Sequence, residues 1–171
     1  ISKSEREFFV VVAQSENEDY VRLKYGENVI RKLLVAAYNR LKKHKHHPRL
    51  TATITLNKLV FILPKTVENE LKEVLFDIKK SLDRDYTLQG IKCQQSFQFG
   101  VARFPRHGES ADALLSKALE AKKFVSVNHF FHLYNTENSE EFMERHEISV
   151  LLDAAIQNDE LDICFQPKVN V

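Results

Sequence analysis

A chain of 171 residues, 43% hydrophobic and 29% charged, carries enough apolar material for one compact domain with a small appendage. Its formal net charge of +1 gives no argument for a polyanionic partner, and four glycines and four prolines are too few for a disordered segment, a repeat array or a turn-rich barrel. Cys93 and Cys164 are far apart without a CxxC spacing, which predicts free thiols in a reducing compartment and no metal cluster. The longest apolar runs, such as "FFVVVA" at 8–13, are far too short to cross a bilayer, and the start at Ile1 shows no leader pattern.

In chain order, "EFFVVVA" (7–13) is apolar at nearly every position and predicts a strand buried on both faces, ended by the polar run 14–19. A helix follows, with Val29, Ile30, Leu33, Leu34, Ala37, Tyr38 and Leu41 at helical spacing, and Pro48 forbids its continuation. The stretch "TITLNKLVFILPK" (53–65) is two apolar runs joined at Asn57-Lys58, the pattern of a β-hairpin. In the first run Ala52, Ile54 and Leu56 alternate with Thr51, Thr53 and Thr55, predicting one buried and one polar face. The joint is awkward: Asn57 tolerates the positive φ of the favoured turns, whereas Lys58 stands where glycine would serve. Thr66 is placed to cap a helix whose stripe is Val67, Leu71, Val74, Leu75, Ile78 and Leu82. Residues 86–105 hold two strand candidates, Ser110 caps a helix with Ala111, Leu114, Leu115, Ala118 and Leu119 inward, and "FFHLY" (130–134) is a further strand. After Tyr134 a helix is expected from Asn138, with Glu141 completing a capping box, followed by a strand at 161–167. The order βαββαβαβ with one tight hairpin calls for an α+β fold: a ferredoxin-like mixed central sheet flanked by helices.

Two stretches bring a resemblance with them. "GVARFPRHGESADALLSKALEAKK" (100–123) resembles a conserved-pattern segment of GGDEF domains, the fold of diguanylate cyclases. "LLDAAIQNDELDICFQPKVNV" (151–171), with Phe165 in place of a tyrosine before Gln166-Pro167, is similar to the opening of an EAL domain, the cyclic di-GMP phosphodiesterase fold. The resemblance implies residues 1–136 as a GGDEF domain and 137–171 as a linker helix with the first residues of an EAL domain, in a bacterial tandem signalling protein. It implies a cytoplasmic segment without membrane contact of its own, whose parent could be anchored at the inner membrane. The glutamate of the EAL signature would lie beyond Val171.

Diguanylate cyclases join two GTP molecules, one on each domain of a dimer, and magnesium neutralises the charge developing on the phosphates. In the family one carboxylate follows the first strand and another is the third residue of the hairpin signature; the two tip glycines let backbone approach nucleotide. Aligned through the proline of "FILP", the signature falls on Thr55, Leu56, Asn57, Lys58 and Leu59, and every position departs from it. The resemblance puts Gln14 and Asn57 at the metal positions, both neutral amides, with Glu16 two residues beyond the first. It puts Arg22 and Arg31 where the guanine is read by an Asn and an Asp, and arginine has only donors. Lys122 matches a phosphate-holding lysine, whereas Ser126 stands where an arginine is expected. The inhibitory product site, Arg-x-x-Asp in the family, falls on His46 and Arg49.

The implied function is a non-catalytic regulatory or dimerisation domain, acting on its own EAL domain in cis and as a homodimer. No cofactor is expected; magnesium and GTP enter only in a second reading, a GTP sensor carried by Lys122 and Glu16. An active cyclase is the third reading. Other features have plainer explanations. His44, His46 and His47 share a basic loop without the Cys or carboxylate partners of a metal site. No nucleic-acid partner is expected, because the basic run lacks interleaved aromatics, and Phe61, Phe97 and Phe99 fit core packing better than base stacking.

Overall fold

The continuous apolar run at the start forms β1, Phe8–Ser15, the central strand of a five-stranded sheet of order β2-β3-β1-β6-β7. The computed structural model describes residues 7–65, 68–88, 90–126 and 129–137, with 148, 151, 152 and 154–158 further on. The chain divides into two compact units, Ile1–Tyr134 and Asn135–Val171.

In the first unit β1 is flanked by β3 (Lys58–Pro64) and β6 (Phe97–Phe104), both antiparallel, with Val11 opposite Phe61 on one side and Val101 on the other. The strand β2 (Arg49–Thr55) forms one edge, and β7 (Phe131–Leu133), parallel to β6, forms the other. Because side chains alternate, Phe9, Val11 and Ala13 enter one core layer and Val10 and Val12 the other. The larger layer is closed by α1 (Glu18–Tyr25), α2 (Glu27–Lys42) and α3 (Leu71–Leu82); the smaller by α4 (Ala111–Lys123). A separate hairpin, β4 (Tyr86–Leu88) and β5 (Ile91–Cys93), leads into β6. This is the ferredoxin-like α+β arrangement that the element order predicts.

The stripes of α2 and α3 match their predicted residues closely; in α4 Leu114 and Ala118 are buried as expected, whereas Ala111 is exposed. In α2, Val29, Ile30, Leu33, Leu34, Ala37 and Leu41 are buried; in α3, Leu71, Val74, Leu75, Ile78 and Leu82. Ser110 caps α4, its Oγ accepting from the Ala113 amide at 3.1 Å. Arg40 ties α2 to the end of α3: it donates to the Ser81, Arg84 and Asp85 carbonyls and lies 4.0 Å from the centre of the Tyr86 ring. The Tyr86 hydroxyl donates to the Leu82 carbonyl, and burial pushes its pKa up to about 12.

Four expectations change. The polar run after β1 is followed by a separate short helix, α1, which ends at Gly26 (φ 83°) before α2 begins. The first hairpin strand has no buried face: Ala52 is exposed and Ile54 is 36% exposed. As an edge strand it has a neighbour on one side only, its register slips twice against β3, and α4 packs over β1 and β6 without reaching it. The result is an open apolar groove of about 320 Å³ bounded by Leu50, Val60, Phe104, Leu114 and Leu115. The hairpin joint is Leu56-Asn57 rather than Asn57-Lys58, since Thr55 pairs with Lys58, and among described residues only His47 and Leu50 are non-glycine with positive φ. Finally, the expected cap at Thr66 and the stripe residue Val67 lie outside the described residues, and the helix proper begins at Leu71.

In the second unit residues 151, 152 and 154–157 are helical, within the predicted helix, and Ile148, Leu151, Leu152 and Ile156 are exposed. Asn138, Glu141, the strand at 161–167 and Cys164 lie outside the described residues. Cys93 is buried, and burial pushes its thiol pKa up, which keeps it protonated and unreactive.

Acid should weaken the first unit through its partly buried histidines. The His107 Nδ1 accepts the Arg103 amide at 3.0 Å, so protonation removes an acceptor. Burial first, then Arg106, Arg103 and Lys117, lower its pKa, and burial also lowers those of His44 and His132. A folded-state pKa below the unfolded value means the contribution is present above about pH 6.5 and is lost as pH falls through the imidazole range. Denaturation midpoints should therefore drop as pH falls below about 6.5, and His107→Gln, which keeps an acceptor, should flatten part of that slope.

Candidate functional site

The end of β1, the tip of the β2–β3 hairpin, the start of β6 and the last turn of α4 converge at one edge of the sheet. Gln14 lies between Lys58 of β3 and Gln98 of β6 in the strand register. One residue on, the Ser15 amide donates to the Asn57 carbonyl at 2.8 Å, which fixes the tip against the central strand. The fold therefore brings Asn57 in the hairpin turn beside the end of the strand that carries Gln14, the two positions aligned with metal-binding carboxylates.

Their chemistry does not suit magnesium. Both side chains are neutral amides, the Asn57 Oδ1 already accepts from the Thr55 hydroxyl at 2.8 Å, and the next residue, Lys58, adds a positive charge. A hard dication wants anionic oxygens, and no cluster of three His, Cys, Asp or Glu side chains able to hold a metal occurs among the described residues.

Leu56 explains the turn. Its side chain packs against the main core instead of leaving the tip bare. With Ile30, Leu33, Leu34 and Phe97 it lines a crevice of only about 10 Å³, the room of roughly one water molecule and far too little for a purine. On the rim of that crevice Ser15 Oγ donates to Gln95 Oε1, both residues being buried. The awkward turn is thus held by a half-buried leucine packed against the core and a backbone hydrogen bond, with no need for positive φ.

Lys122 reaches the same edge from α4. Gly100 permits this: a Cβ there would meet the Ala118 carbonyl oxygen at 2.0 Å and the Lys122 amide nitrogen at 2.6 Å, so the helix backbone lies directly on β6. The Lys122 ammonium, only 15% exposed, is paired with the Glu16 carboxylate at 2.6 Å. Their pairing depends on the α4 crossing and has no local signal.

The base positions are not brought to the crevice as a pair of ligands. Arg22 is bonded to Glu18 and lies 3.7 Å from Asp19, all on α1, and Arg31 is bonded to Glu27 at 2.8 Å on α2. These pairs, three or four residues apart, stay within their own helices, and the Glu18 side chain, only 11% exposed, also lines the crevice. Ser126 contacts His129. At the other aligned site, His46 faces Asp77 at 3.3 Å and Lys45 pairs with the same carboxylate at 2.6 Å, so Lys45 first and His46 second hold the Asp77 pKa low. Arg49 stands at the start of the edge strand. Phe61, Phe97 and Phe99 are fully buried and belong to the core.

A ferredoxin-like sheet with α1, α2 and α3 on one face, α4 on the other and a hairpin tip meeting the end of the central strand defines the nucleotide cyclase-like class of α+β domain. The chain belongs to the GGDEF family: the family profile "Diguanylate cyclase, GGDEF domain" matches residues 2–123. Solved structures agree on the fold. An EAL/GGDEF domain protein from M. capsulatus superposes with a TM-score of 0.68 at 18% identity, covering 78% of this chain and 88% of that one. The GGDEF domain of YfiN (TpbB) from Pseudomonas aeruginosa gives 0.66 at 19%, covering 75% and 83%. The active GGEEF domain of a diguanylate cyclase from Vibrio cholerae gives 0.63 at 9%, covering 78% and 86%. No curated protein sequence matches the chain. No described helix is long and apolar enough to cross a membrane.

Proposed function

We propose that this chain is a non-catalytic, regulatory GGDEF domain of a cyclic di-GMP signalling protein. The observation that carries this reading is the hairpin tip. Leu56 fills the space next to α2, and Asn57 and Gln14 supply amides where the family supplies carboxylates. Neither the base nor the metal of the family reaction finds a fitting partner. Core, sheet and helix packing are meanwhile kept, as expected where a domain is retained for its surfaces. Its partners in this reading are a second copy of the chain and an EAL domain following in cis, biased through the helical stretch around 151–157.

Incubating the purified chain with GTP and magnesium should give no cyclic di-GMP; measurable product would overturn the reading. For the regulatory half, the parent protein should change its cyclic di-GMP hydrolysis rate or its oligomeric state on removal of residues 1–140. Identical rates and an identical state would count against it. One observation favours a GTP sensor instead: Lys122 is held at the site by the close seating of α4 on Gly100. Calorimetry with GTP and magnesium separates the two, because a sensor binds at millimolar ligand and a purely structural domain does not.

A further inference from the structure

We infer that the outer edge of β2 pairs with the same edge of a second copy of this chain, antiparallel about a two-fold axis at Ala52. The inference rests on the reading that a second copy is a partner, and it names the surface.

Among the described residues β2 is hydrogen-bonded to β3 alone, so its far side presents a row of backbone groups to any strand that approaches. The opposite edge of the sheet, β7, is only three residues long, and so short an edge offers little to pair with. By contrast β2 runs for seven residues. From Leu50 to Asn57 the chain carries neither a charge nor a proline, the residues that ordinarily guard an edge. Ala52, Thr53 and Ile54 are exposed, and Leu50 is 77% exposed. Register against β3 is regular at Ala52 and Thr53 and slips on either side, so Leu50, with φ 47°, and Ile54 flank a regular centre.

The residues of this edge fit their own copy. Leu50-Thr51-Ala52-Thr53-Ile54 reads nearly alike in both directions. Antiparallel pairing about Ala52 sets Leu50 against Ile54, Thr51 against Thr53 and Ala52 against itself, which are apolar and threonine pairs of the kind that stabilise neighbouring strands. A contact between identical surfaces requires such self-complementarity. Charge agrees with it. The same register sends the two Arg49 side chains to opposite ends, each beside a Thr55 and about 20 Å from the other, so no like charges meet. The axis stands perpendicular to the sheet, so α4 of both copies lies on one face and the two sheets become one. A contact of one short strand is small beside the roughly 800 Å² per partner of a stable interface, so the association is weak and grows with concentration.

Analytical ultracentrifugation of the chain at concentrations up to about 1 mM tests this. The unaltered chain should pass from monomer to dimer as concentration rises. Ala52 is exposed, so replacing it leaves the core untouched, and in the paired register it meets its own copy. Ala52→Lys and Ala52→Glu should each associate at least about tenfold more weakly, because like charges then stand opposite each other. An equimolar mixture of the two should regain the dimer, since lysine now meets glutamate; that recovery also shows both variants to be folded. An unaltered chain that stays monomeric at about 1 mM overturns the inference and removes the second copy from the proposed partners. Dimers as strong in the Ala52 variants, or no gain on mixing them, overturn this edge as the surface and keep the second copy as a partner. Growth past the dimer overturns the two-fold register, because a closed pair uses up the free β2 edge of each copy. Cyclic di-GMP synthesis by the unaltered chain would overturn the non-catalytic reading and leave the pairing as stated.

Discussion

Gly100→Ala should destabilise the first unit by about 3 kcal/mol, a large cost for one methyl group. The new Cβ would sit 2.0 Å from the Ala118 carbonyl oxygen, 2.6 Å from the Lys122 amide nitrogen and 2.8 Å from the Lys122 Cβ. The first two are backbone atoms of a helix and cannot turn aside as a flexible side chain would. The helix must therefore lift from β6, and with it the burial of Leu114 and Ala118 against Val10, Val12 and Ala102 is lost. Lys122 moves in the same step, so its ion pair with Glu16 should weaken too. Urea unfolding should show the loss as a lower midpoint with an unchanged slope. A change under about 1 kcal/mol would mean that α4 is not seated on β6 as described.

Phe99→Ala should cost about 3–5 kcal/mol. Phe99 is fully buried on β6 and meets Phe61 and Phe130 edge-on, with ring centres at 6.4 Å and 6.3 Å and interplanar angles of 83° and 84°. It therefore joins the β3 hairpin strand to the segment entering β7. Truncation removes a ring's worth of buried area, leaves a cavity, and ends two aromatic contacts each worth about 0.5–1.5 kcal/mol beyond area. Phe99→Leu keeps most of the volume and should lose less, so the difference between the two variants in chemical denaturation reports on the cavity. Equal losses would mean that the ring contacts, rather than filled volume, hold this part of the core.

The contrast between α2 and β2 shows where sequence reading succeeds. In α2 the apolar spacing coincides with the buried stripe, because one helix face meets one sheet face and the period of the pattern is set by the helix itself. In β2 the alternation of Ala52, Ile54 and Leu56 with threonines is as clear, yet Ala52 is exposed. Alternation says that two faces differ; it does not say whether a helix lies over either one. The position of α4 over β1 and β6 is what leaves the groove between it and β2 open. The short helix α1 escaped for a related reason: "ENEDYVRLKY" is polar on most positions, Val21 is its only buried residue, and a stripe one residue wide carries no period.

At the site the division is the same. Residue identities alone determined that two amides and a lysine stand where the family pattern has acids, and a threonine and a leucine where it has glycines, since charge and side-chain size are local properties. They also determined the element order, and through it the ferredoxin-like sheet, because strand and helix periods are written in short stretches. The tertiary structure decided that Leu56 enters the core and narrows the crevice beside α2, that the turn therefore sits at Leu56-Asn57, and that Glu16 meets Lys122. These contacts join residues up to about a hundred positions apart, and their distances depend on how α4 rests on Gly100. No local pattern carries that information, because it arises only when separate faces are pressed together and each side chain must find the space the others leave.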